Sequence, residues 1–187
     1  MVKTIAGTGE RSENPLAFNL DMRQQNLSSP VDIVYDKESS CFYVAMSGIH
    51  QIWKLDTINN TILPMSGDGV EACHDDSADL MKCTWAQPYG VSIGLGKDDK
   101  KELFVADSES SSIRAVNLTD LDSARTIVGG DGTSTNLFCY GDMDGESTNA
   151  KLQHPMGVHY VDPIQRVVVL DSYNHKVKLV DPKTNEI

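Results

Sequence analysis

Several things are scarce in this sequence, and each shortage excludes something. No apolar run approaches the ~18 residues that a membrane-spanning helix needs, and no basic-then-apolar stretch opens the chain as a secretory leader would. No membrane role is expected. Basic residues are outnumbered, 16 against 27 acidic ones, for a net charge of −11. Phosphate backbones bind Lys/Arg-rich surfaces by releasing counterions, so no nucleic-acid partner is expected either. The runs KDDKK at 97–101 and HKVK at 175–178 read as solvated faces. Cys41, Cys73, Cys83 and Cys139 include no Cys-x-x-Cys pair, the spacing that zinc sites and dithiol redox centres favour. They read as free thiols in a reducing, cytosolic compartment, with a Cys73–Cys83 link or a partial metal site with His74 as the alternative. Helical periodicity is also missing. Nowhere do apolar residues keep three-to-four spacing for more than about one turn.

What the sequence does have is repetition. Residues 42–56 (FYVAMSGIHQIWKLD), 103–117 (LFVADSESSSIRAVN) and 167–181 (VVVLDSYNHKVKLVD) share one pattern. An apolar run breaks at Ser47, Ser108 or Ser172 and resumes with alternating apolar positions, which predicts two antiparallel strands joined tightly. A proline and a short apolar strand precede each copy: SSPVDIVY at 28–35, AQPYGVSI at 86–93 and QHPMGVHY at 153–160. Before those come strands ending in glycines: KTIAGTG at 3–9, TILPMSGDG at 61–69 and RTIVGGDG at 125–132. Four strands per unit, repeated, predict an all-β propeller of about three four-stranded blades. The expected divisions are 1–9, the outer strand of a preceding blade; 28–69 and 86–132, whole blades; and 153–187, an incomplete one. Three blades make an arc with exposed ends, so the segment reads as part of a larger ring from a longer protein.

The blade prolines recur at 30, 88 and 155, wider than the ~40–50 residues usual per blade. The excess lies in long polar loops, and insertions recurring on one face of a repeat array mark a binding face. Asp75, Asp76, Asp79, Asp142, Asp144 and Glu146 are therefore the candidate interaction residues. Carboxylates at alternating positions before Gly145 resemble the start of a calcium loop, but the later ligands are missing and turn chemistry explains them. Asp107 and Asp171 are expected to cap the hairpin turns that follow them. His154 precedes a blade proline, where a ring of histidines would hold a lyase metal, but the matching residues are Ser29 and Gln87. His154 is therefore read as bonded within its own loop. No catalytic, cofactor-binding or metal-binding residue is assigned, no cofactor is expected, and a small-molecule ligand is not expected.

The words P-x-G-V, V-A-D-S and N-H-K-V-K-L-V-D together resemble the NHL repeat, whose hallmark is an Asn-His-Leu-like triplet at the second hairpin turn. Asn174-His175-Lys176 matches it best, and His50 keeps the histidine. Ser110-Ser111-Ser112 departs from it. The resemblance extends through the loops, as in SGIHQIWKL and NAKLQHPMGV. It implies a six-bladed ring that, in the full-length proteins it is most similar to, follows a thioredoxin-like domain and precedes a small β-rich one. The expected function is a non-enzymatic scaffold that presents its acidic loops to a protein partner. Two other readings are a substrate-docking part of a thioredoxin-like oxidoreductase and a metal-dependent propeller lyase.

Overall fold

The computed structural model describes residues 1–14, 21–76, 78–133 and 135–187. Among the described residues, eleven strands form three antiparallel sheets, each in chain order. The first blade holds β1 (Pro30–Asp36), β2 (Cys41–Met46), β3 (Gln51–Asp56) and β4 (Thr61–Ser66); the second holds β5 (Pro88–Leu95), β6 (Lys101–Asp107), β7 (Ser112–Asn117) and β8 (Ala124–Gly129). The third has only β9 (Pro155–Val161), β10 (Arg166–Asp171) and β11 (Lys176–Val180). Among the described residues the helical segments are short 3-10 turns, as at Ser47–Ile49 and Ser172–Asn174 between the second and third strands.

One expected strand does not form. Residues 1–9 lie in no sheet, because a fourth strand exists only by pairing with a third, and no third strand precedes them within the chain. The glycine end of that segment is nevertheless in place. Gly7 has φ 94° and donates to the Met22 carbonyl at 2.8 Å, as Gly67, with φ 102°, donates to Leu80 at 2.9 Å.

The apolar runs of the second strands follow from sandwiching. In β6, Leu103 and Val105 pack toward the first blade with Tyr43, Ala45, Ile52 and Trp85, while Phe104 and Ala106 pack toward the third with Tyr160, Val167 and Val169. Both faces are buried, so the usual apolar–polar alternation disappears. Polar staples join the innermost strands: Val91 N–H donates to Asp32 at 2.8 Å and Tyr160 N–H to Ser92 Oγ at 2.9 Å. The glycine of P-x-G-V follows from the same crowding. A Cβ on Gly90 would lie 2.8 Å from the Cα of Gly157 in the next blade.

At the end of the arc the corresponding surface is open. Val177 is 69% exposed, whereas Ile52 and Ile113, in the same column, are fully buried. Leu170 and Leu179 beside it are exposed too, as are Val31, Ile33 and Tyr35 on the first blade.

Val44, Val105 and Val169 share one column and all are buried. Val105→Asp places an unpaired charge between two blades and should cost about 3–5 kcal/mol. Asp76→Ala, which removes only a loop cap, should cost about 1 kcal/mol. Urea denaturation of both variants checks the order, and equal losses would contradict it.

Candidate functional site

The long loops do not stand free on one face. Each descends along the outer edge of the blade that follows it: Asp21 bridges Thr61, Asp76 bridges Ala124 and Glu146 bridges Glu186. The acidic residues therefore fall in two places, one loop on the second blade and one on the third, and most have partners inside the chain.

The partners are cations on the third strands. Arg114 on β7 is wholly buried under the 71–85 loop. Its Nε and Nη2 donate to Asp75 Oδ1 at 3.1 and 2.8 Å, Nη2 also donates to the His74 carbonyl at 2.8 Å, and Nη1 donates to the Thr84 carbonyl and to Asp107 Oδ2, the latter at 3.0 Å. Trp85 lies 4.3 Å from its guanidinium carbon. All five N–H groups are thus engaged, as a buried guanidinium requires. Asp75 also accepts the Thr126 amide at 2.7 Å, which ties the loop to β8. Lys178 holds the matching place in the third blade. Its Nζ lies 3.4 Å from Asp142, 3.1 Å from Asp144 and 3.5 Å from Asp171. The HKVK run is consequently no solvated face at this position, since Lys178 is buried. Lys101 of KDDKK likewise ties β6 to the first blade through Asp36 at 2.9 Å and Glu38 at 2.8 Å.

Of the other candidates, Asp76 caps its own loop. The Ala78 and Asp79 amides donate to it at 2.8 and 2.9 Å and hold its carboxyl below the usual carboxylate range. Asp79 accepts the Met81 amide and stands 3.6 Å from Lys82. Asp142 accepts from Lys176 at 2.6 Å, which lowers its pKa. Glu146 is exposed.

Asp107 and Asp171 do more than cap turns. Asp107 accepts from Ser110 Oγ at 2.9 Å but also from the Ala86 amide at 2.7 Å; Asp171 accepts from Asn174 at 2.8 Å and from the Gln153 amide at 2.8 Å. Each carboxylate thereby locks its turn to the loop leading into its own blade. The set is acid, donor three residues on and cation seven residues on: Asp107/Ser110/Arg114 and Asp171/Asn174/Lys178. In the first blade the same three places hold Met46, Ile49 and Trp53, all buried in one apolar cluster. The three positions differ together, polar in two blades and apolar in one. This coupled set escaped the sequence reading, although aligning the three hairpin words would have displayed it.

The residue that ends the second-strand turn has its own task. His50, Ser111 and His175 all have positive φ, at 52°, 51° and 56°. His50 Nδ1 accepts the Gln87 amide of the next blade at 3.3 Å, and Ser111 Oγ accepts the His154 amide at 3.4 Å. The triplet histidine is thus an inter-blade latch. His154 in turn is not confined to its loop: Glu109 lies 3.7 Å from Nδ1, and the Tyr173 ring packs against it, tilted by 50°, with centroids 4.4 Å apart.

The four cysteines are unpaired. Burial pushes the Cys73 thiol up to about 11, so it stays protonated at neutral pH and is a poor nucleophile.

Comparison with known proteins places this architecture. NHL repeat-containing protein 2 of Homo sapiens is 40% identical over 98% of the chain, and that of Gallus gallus is 37% identical over the same share. The segment belongs to the NHL-repeat family. Protein SUPPRESSOR OF QUENCHING 1, chloroplastic, of Arabidopsis thaliana is 38% identical over all of it. The NHL segment spans 27% of the length of the first two relatives and 17% of the third. No family model matches the chain. Among solved structures, an auxiliary nutrient binding protein from Bacteroides ovatus superposes with a TM-score of 0.68 at 18% identity, covering 84% of this chain and 38% of that one. A protein of unknown function from Bacteroides thetaiotaomicron gives 0.65 at 15% identity, covering 90% and 38%. These likenesses show the fold alone.

Arg114→Met strips Asp107 of its cation inside the protein and should cost about 3–5 kcal/mol. The triple variant Asp107→Met, Ser110→Ile, Arg114→Trp, which installs the first-blade set, should recover more than half of that loss. Urea midpoints of the two variants decide, and a triple variant as unstable as the single one would contradict the equivalence of the sets.

Proposed function

We propose that this NHL-repeat segment belongs to a six-bladed ring and acts as a non-enzymatic scaffold, holding acidic loops in fixed positions for a protein partner. The observation that carries the reading is the clamping of those loops by buried cations, Asp75 by Arg114 and Asp142 with Asp144 by Lys178. A clamped loop has little conformational entropy left to lose on binding, so its outward side chains are preorganised. Glu146 is exposed, and Asp79, which accepts the Met81 amide, is half-exposed; these are the outward groups. With a net charge of −11, the field they contribute to favours a basic protein surface over nucleic acid. The unpaired thiols support a cytosolic setting for the whole protein.

The test neutralises only the outward pair, because Asp75 and Asp142 also hold the fold. Asp79→Asn with Glu146→Gln should leave the melting temperature within about 2 °C of the parent, since Asn keeps the oxygen that accepts the Met81 amide and an exposed substitution such as Glu146→Gln rarely exceeds about 0.5 kcal/mol. Affinity capture with the full-length protein should then lose partners whose binding to the parent weakens with salt. An unchanged partner set with unchanged salt sensitivity would remove the binding role from these loops.

A further inference from the structure

A pocket of about 330 Å³ lies where the first two blades meet, at the end of the sheets that carries their second-strand turns. Its walls include Arg11, Ser29, Ser47, His50, Gln87 and Tyr89. We propose that it binds a carboxylate.

The argument rests on unspent donors. Arg114, Arg125 and Arg166 each hold a carboxylate within 3.0 Å. Arg11, by contrast, makes one long contact among the described residues, from Nη2 to the Gly48 carbonyl at 3.4 Å. Among the described residues the rest of its fork has no partner, and Arg11 lines the pocket. His50 adds a second donor by necessity. Its Nδ1 accepts the Gln87 amide, so the neutral ring carries its proton on Nε2. Ser111 performs the same latch in the next blade with a hydroxyl alone. The latch therefore does not require an imidazole, and the second ring nitrogen is surplus to it. Tyr89 lines the pocket as well. Gln87 gives one of its two amide hydrogens to Glu71, at 3.3 Å, and keeps the other. A guanidinium fork beside neutral donors matches the planar, bidentate shape of a carboxylate. The matching place between the second and third blades has the opposite character, with Glu109 where Gly48 stands and His154 paired to it, so the feature is particular to this junction. The carboxylate has two sources, a free organic acid or an acidic side chain of a protein, and the recognising chemistry is the same. The inference does not depend on the outer loops.

The 187-residue chain is titrated with glutarate, with acetyl-Gly-Glu-Gly-amide and with acetyl-Gly-Gln-Gly-amide, following the backbone amide resonances of His50, Gln87 and Tyr89. Saturable shifts are expected with at least one of the two carboxylates and none with the glutamine peptide. The tighter of the two acids then names the source. Arg11→Gln should weaken the response at least tenfold, and His50→Asn, which tolerates the positive φ, about threefold. Arg11 is exposed, so its variant keeps the parent's melting temperature and decides the matter even if His50→Asn misfolds. No saturable shift with either acid, an equal response to the glutamine peptide, or an unaltered titration in Arg11→Gln would overturn the proposal.

Discussion

Everything in this structure depends on one constraint: a blade apolar on both faces must be covered on both, by another blade or, at the first blade, by Ala6, Met22 and Leu27 of the segment ahead of it. A sheet with one covered face would show alternating strands, and β6 instead reads Leu103-Phe104-Val105-Ala106, all fully buried. Burial of this kind stabilises by roughly 25 cal/mol per Å² of apolar surface, and in β6 it involves residues of the blades on both sides. The close approach of Gly90 to Gly157, the Asp32 and Ser92 staples and the His50 and Ser111 latches all serve that packing.

The second layer of organisation is electrostatic, and it faces outward. Arg114 and Lys178 sit on third strands, below the draped loops, and satisfy carboxylates from two directions: Asp107 or Asp171 from the turn, and Asp75 or Asp142 from the loop. Placing a cation there has a desolvation cost that only a full set of partners offsets. The first blade avoids the matter with Met46, Ile49 and Trp53. Both solutions hold a turn against a strand, but only the ionic one also recruits an acidic loop. Loop acidity and buried cations are therefore two sides of one arrangement.

Much of this was legible in the sequence. The repeated hairpin words gave the strand order, the prolines marked the innermost strands, and Val44, Val105 and Val169 fell in a single buried column. The long loops were found but misplaced, because periodicity says where a chain leaves a sheet and not where it travels. Asp76 bridging Ala124 is a contact across 48 residues, which no local pattern encodes. Residues 1–9 carry the right word for a strand and form none, since strand formation needs a partner that composition cannot supply. The interaction candidates were legible as a charge pattern only. That Asp75 and Asp142 are clamps, whereas Asp79 and Glu146 face outward, depended on Arg114 and Lys178 being buried, and a basic residue in an apolar strand is usually read as solvent-facing.

The central claim, that neighbours supply the stability of each blade, is tested most directly by native-state hydrogen exchange along the chain. Amides of β6 and β7, with blades on both sides, should exchange slowest, and those of β11 and β1 should exchange at least tenfold faster because Val177 and Leu179 on β11 and Val31, Ile33 and Tyr35 on β1 are exposed. Protection that is uniform across the three sheets, or greatest in β11, would contradict the account.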